Sequence, residues 1–90
     1  MEIDDNMEKL SMIVIDKLLI LQNNLSKKEF VVSWILTAQK MNRYYYADKN
    51  IAEHIWDKFV SSNRNVLSFY SILDNECKKI FIEMLENIII

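Results

Sequence analysis

Ninety residues contain neither a glycine nor a proline, and that double absence limits the available folds more than any other feature. Average usage would supply roughly six glycines and four or five prolines in a chain of this length. Glycine adopts positive φ without steric cost, and proline presets turns. A β-sandwich or barrel needs several such positions. A nucleotide-binding α/β fold needs glycines where backbone meets phosphate. The remaining solution is helices joined by Asn, Asp and Ser. Abundant Ile, Asn and Lys suggest an AT-rich genome, which would account for part of the missing glycine.

Hydrophobic residues make up 51% of the chain, enough to fill one modest core, and residues 1–90 read as a single domain. Four segments carry helical period. The first, from about Asp5 to Gln22, has the stripe Leu10, Ile13, Val14, Leu18 and Leu21, with Asp4, Asp5 and Asn6 at its start. The second opens on Ser26-Lys27-Lys28-Glu29, a capping box with Leu25 and Phe30 at the staple positions. Its stripe is Phe30, Trp34, Ala38, Met41 and Tyr45, widened by Val31 and Ile35, and the spacing predicts a helix ending near Tyr46. The third opens at Asp48 or Asn50, where Asn50 and Glu53 resemble a weaker capping box. It carries Ile51, Ala52, Ile55, Trp56, Phe59 and Val60 and stops near Ser61-Ser62-Asn63. The fourth starts at Asp74 and carries Cys77, Ile80, Phe81, Met84, Leu85 and Ile88. Between them, Asn65 to Leu73 reads as a short helical turn or a packed loop with Leu67, Phe69, Tyr70 and Ile72 inward. The expected fold is all-α, an antiparallel four-helix bundle with short connections.

The charge balance excludes some partners. Thirteen acidic and 11 basic residues give a net charge of -2, so no basic excess is present to neutralise a nucleic-acid backbone. The acidic, polar start from Met1 to Lys9 is unlike a signal peptide. The apolar run Met12 to Leu21 contains Asp16 and Lys17 and is too short to span a bilayer. Cys77 is the single cysteine, which forbids an intramolecular disulfide and fits a reducing compartment. The expected location is the cytoplasm, with no membrane association.

Candidates for chemistry are few. His54 is the single histidine, and its neighbours Glu53 and Asp57 match no metal motif. Cys77 lies on the apolar stripe of the last segment, where a cysteine behaves as a small hydrophobe. No glycine-rich loop exists to cradle phosphate. The chain therefore reads as a non-enzyme without metal or cofactor. Its notable surface residues are acidic and aromatic. Glu53 and Asp57 share a face of the third segment, and Asp74, Glu76, Glu83 and Glu86 lie on or near the fourth. Adjacent helices would join these into a negative strip suited to a basic partner, the alternative being a solvated face interrupted by Lys58, Lys78 and Lys79. Tyr44 and Tyr46 flank the stripe residue Tyr45, cannot both be buried with it, and are candidate interface anchors. The terminal Ile88-Ile89-Ile90 cannot all face inward and would suit a homodimer contact.

Three stretches resemble the small all-helical immunity proteins that protect bacteria from colicin-type and contact-dependent nuclease toxins, the colicin D immunity group in particular. They are Leu25-Ser26-Lys27-Lys28-Glu29-Phe30 with Trp34 following, Ile51 to Phe59 with Ile55-Trp56-Asp57-Lys58-Phe59, and Leu73-Asp74-Asn75-Glu76 leading into Phe81 and Leu85. The resemblance implies tight binding over the active site of a cognate toxin, with acidic residues standing in for RNA phosphates. In the matching segments those positions are Glu53, Asp57, Asp74 and Glu76. Family members are often more acidic than this chain. Two other readings fit the same sequence: a phage or viral inhibitor or adaptor of a host defence protein, and a homodimeric structural or regulatory protein.

Overall fold

The computed structural model describes residues 24–87, and every described element is helical. Helix α1 spans Lys27–Lys40, α2 Lys49–Ser61, α3 Val66–Ser71 and α4 Asn75–Asn87, with a 3-10 turn at Tyr44–Ala47. The segment read from Asp5 to Gln22 and the end Ile88-Ile89-Ile90 lie outside the described residues.

The starts of the helices follow the side-chain chemistry of the sequence. Ser26 Oγ accepts from Glu29 N at 3.2 Å, and Ser26 N donates to Glu29 Oε1 at 3.3 Å, so the capping box is complete. The staple pair Leu25 and Phe30 is buried beneath it. Asp48, and not Asn50, caps α2, accepting from Ile51 N at 3.1 Å. Asn65 caps α3 through Ser68 N, and Asp74 caps α4 through Cys77 N. Each side-chain acceptor meets an amide that the helix itself leaves unpaired.

The ends of α1 and α2 share one device. Beyond Lys40 and the cap Met41, Asn42 takes φ 58°. Its N–H donates to Gln39 O, and Arg43 N–H donates to Ala38 O at 2.8 Å. Beyond Ser61 and the cap Ser62, Asn63 also takes φ 58°, while Arg64 N–H donates to Phe59 O and Asn63 N–H to Val60 O. These are paired Schellman closures. Glycine normally supplies their left-handed residue; here asparagine does, the next residue most tolerant of that region. Arg64 follows into the same region at φ 56°. It is held there by a hydrogen bond from Nη2 to Leu25 O at 2.7 Å and by stacking of its guanidinium over Trp56 and Phe59, at 5.2 and 5.3 Å.

Asn42 corrects the expected end of the second segment. The helix stops at Lys40 and not near Tyr46, so the turn carrying Tyr45 leaves the core stripe. Tyr45 is 74% exposed. Val60, one residue before the end of α2, is likewise exposed, and Met41 and Ile35 are only partly buried. Residues 65–73 resolve into the short helix α3. It buries Val66, Phe69 and Tyr70 with Leu73 beyond it, and exposes Leu67 and Ile72. Val66, Phe69 and Tyr70 stand at i, i+3 and i+4, which places them on one face of this short helix.

The core is chiefly aromatic. Phe30 has four ring neighbours, Trp34, Trp56, Phe59 and Phe69, at centroid distances from 5.4 to 6.2 Å. Phe69 meets Phe59 at 5.2 Å and Phe81 at 4.9 Å, both edge-on. One ring cluster therefore ties α1, α2, α3 and α4 together. Helix α1 packs against α2, the 3-10 turn and α4. Helix α4 buries Ile80, Phe81 and Ile82 in succession, while Lys79, Glu86 and Asn87 stay exposed on its other side.

Candidate functional site

The 3-10 turn at Tyr44–Ala47 carries the most exposed aromatic surface among the described residues. Tyr44 is 67% and Tyr45 74% exposed, whereas Tyr46 is half-buried and packs on the core. The turn is fixed from several sides. The Schellman closure at Asn42 sets where the chain leaves α1. Trp34, fully buried, donates its indole Nε1–H to Tyr46 O at 3.0 Å. Arg43 reaches across to Glu76 at the start of α4, and Glu76 also pairs with Lys79 at 3.6 Å. Tyr44 donates its hydroxyl to Asn42 Oδ1 at 2.9 Å. The Tyr45 and Tyr46 rings meet edge-on at 5.0 Å. Asp48 then ends the turn and caps α2.

Beside Tyr45 lies a cleft of about 390 Å³ between the turn, α2 and the start of α4. His54 and Lys58 stand on one wall and Asp74 on the other, over a floor that includes Ile51, Ile55 and Cys77. Burial and the neighbouring Asp74 carboxylate, by its charge and by a hydrogen bond, push the Cys77 thiol up to about 12. At neutral pH it is a protonated, inert group and no nucleophile. Burial, then the charges of Asp74, Cys77 and Glu76, raise the Tyr46 hydroxyl above its ordinary value. Among the described residues no group of three or more His, Cys, Asp or Glu is placed to hold a metal ion. No helix among them is long and apolar enough to cross a membrane.

The acidic positions separate by what they already hold. Glu53 pairs with Lys27 at 3.1 Å. Asp74 is occupied as the cap of α4. Glu76 is held by Arg43 and Lys79, and Glu83, on the other side of the strip, by Lys40 at 3.2 Å. Asp57 is exposed and enters no ion pair among the described residues. The geometry thus brings Tyr46, Asp74 and Glu76 together around the turn and the start of α4. Glu53 instead faces α1 through Lys27.

No family model, curated protein or solved structure matches this chain.

The functional weight therefore rests on the surface itself. Tyr45, placed in the core stripe by periodicity, is the outermost ring. Arg43 and Trp34 position the turn without being part of its exposed face. The signal for all three was Asn42: an asparagine followed by a basic residue after an amphipathic stretch, in a chain without glycine, is the available helix stop.

Proposed function

We propose that this chain is a non-catalytic, cytoplasmic immunity protein that binds a cognate toxin, a nuclease with a basic cleft, and blocks its active site. With it we propose the antiparallel four-helix bundle. The observation that carries the reading is the Tyr44–Tyr45 pair, displayed on a turn held by Trp34 and Arg43. Tyrosines lend broad contact area for little conformational cost, and exposed rings of this kind anchor protein interfaces. Asp57 is the acidic residue with charge to spare for a basic partner. Glu53, Asp74 and Glu76 serve the chain's own fold, so a reading that relied on charge mimicry alone would have little to draw on. The resemblance of the Leu25–Phe30, Ile51–Phe59 and Leu73–Glu76 stretches to colicin D-type immunity proteins supports the choice of partner.

The test is affinity capture from the source cell in moderate salt, with mass spectrometry, using the wild-type chain and a Tyr44→Ala/Tyr45→Ala variant. Recovery of one basic toxin-like domain in equal amount, lost with the double variant, is the expected result. Recovery of a host defence protein would replace the immunity reading with that of a phage or viral inhibitor. Recovery of the chain's own copies alone would replace it with a homodimeric structural role.

A further inference from the structure

The face of α1 turned away from the ring cluster is apolar and is left uncovered by the other described residues. Val32 is 47% and Leu36 60% exposed, one helical turn apart, with Ile35 partly buried beside them. They form a ridge between two grooves. One, of about 710 Å³, runs along α1 beside Met84 and Asn87 of α4 and includes Leu25, Val32 and Leu36. The other, of about 510 Å³, lies toward the start of α2 and includes Val31, Val32, Ile35 and Lys49. A ridge with a groove on each side is the surface into which a second helix interdigitates.

The rim has a definite sign. Lys27, Lys28 and Lys49 border the second groove, with Glu53 as its one acidic residue. Glu53 is neutralised by Lys27, and Glu29 is engaged in the capping box. Lys28 and Lys49 enter no ion pair among the described residues. Lys28 and Lys49 therefore leave the rim of the second groove positive, on a chain whose net charge is -2, while Glu29 keeps its negative charge beside the first groove. We infer that the α1 face is a second docking surface, whose occupant is an amphipathic helix of a partner protein with acidic residues flanking its apolar stripe. Its Leu or Ile side chains enter the two grooves on either side of Val32 and Leu36, and its carboxylates meet Lys28 and Lys49. This surface is separate from the tyrosine turn and stands or falls independently of the toxin reading.

A synthetic 18-residue helical peptide, with Leu at three-four spacing and Glu on both flanks, tests this on the full chain by calorimetry. Its counterpart with Lys in place of Glu is the control. The acidic peptide binds saturably at one site, and the Lys peptide binds at least roughly tenfold more weakly, the scale of a few exposed charge pairs. Leu36→Asp abolishes binding, and Lys28→Glu/Lys49→Glu weakens it by a similar factor while far-UV circular dichroism is unchanged. Should Leu36→Asp alter the fold, Leu36→Ser serves the same purpose. Equal affinity for the two peptides overturns the charge assignment, and no binding of either overturns the surface. A concentration-dependent dimer by sedimentation, dispersed by Leu36→Asp, overturns the choice of occupant in favour of a second copy of this chain.

Discussion

At the scale of single residues, two asparagines carry what glycine carries in most helical proteins. Asn42 and Asn63 both stand at φ 58°, where a Cβ costs roughly 1 kcal/mol or more. Asn63→Gly relieves that strain and is expected to hold or raise stability by up to about 1 kcal/mol, whereas Asn63→Ala lowers it by about 1 kcal/mol. Urea unfolding followed by circular dichroism distinguishes the two. Cys77 makes the opposite kind of statement. Its thiol is raised to about 12 from an ordinary 9.0. The folded chain therefore holds a proton that the unfolded chain gives up between those values, and folding stability falls as pH rises through that window. Below pH 9 the contribution is complete. Cys77→Ala should flatten the alkaline limb of the stability curve. Native Cys77 should also react with iodoacetamide at pH 8 far more slowly than it does in urea, and equal rates would mean that the thiol is not shielded.

At the scale of elements, helix starts were more legible than helix stops: α2 ends at Ser61, as Ser61-Ser62-Asn63 predicts, whereas α1 ends at Lys40 and not near Tyr46. Starts are written in side-chain oxygens at fixed offsets: Ser26 with Glu29, Asp48 with Ile51, Asp74 with Cys77. Those offsets survive in a one-dimensional reading. Stops depend on a backbone angle, and without glycine the sequence marks that angle only by an ordinary asparagine. The three-four period ran through Met41 to Tyr45 as if the helix continued, which put an exposed anchor ring in the core stripe. The same loss of phase placed Leu67 and Ile72 inward in α3. The tyrosine turn itself depends on one buried donor. Trp34→Phe keeps the ring cluster but leaves Tyr46 O without its indole N–H. It is expected to cost about 1–2 kcal/mol and to speed hydrogen exchange of amides 44–47 more than those of α2, which an exchange experiment resolves residue by residue.

At the scale of the whole molecule, one cluster of rings links the four described helices. Phe30 touches four aromatic neighbours, and Phe69 joins α3 to α2 and α4. Truncating either to alanine should cost about 3–5 kcal/mol, a large share of the stability of a domain this small. Calorimetry should then find that Phe69→Ala lowers the melting temperature of the whole domain in one transition. Loss of α3 alone, with the rest intact, would show that the cluster does not act as a unit. Much of this core was visible beforehand, because burial of Trp34, Trp56, Phe59 and Phe81 follows from their place on apolar stripes. The candidate site was less visible, because it is made where those stripes end.

The contacts that hold the 44–47 turn from Trp34 and Arg43 bear on kinetics. A partner that lands on Tyr44 and Tyr45 need not wait for a loop to fold, so its observed association rate should rise linearly with concentration and show no saturation from a conformational step. Differences in affinity among variants of the two rings would then appear almost wholly in the lifetime of the complex, and loosening the turn from beneath, at Trp34 or Arg43, would show itself as a slower arrival.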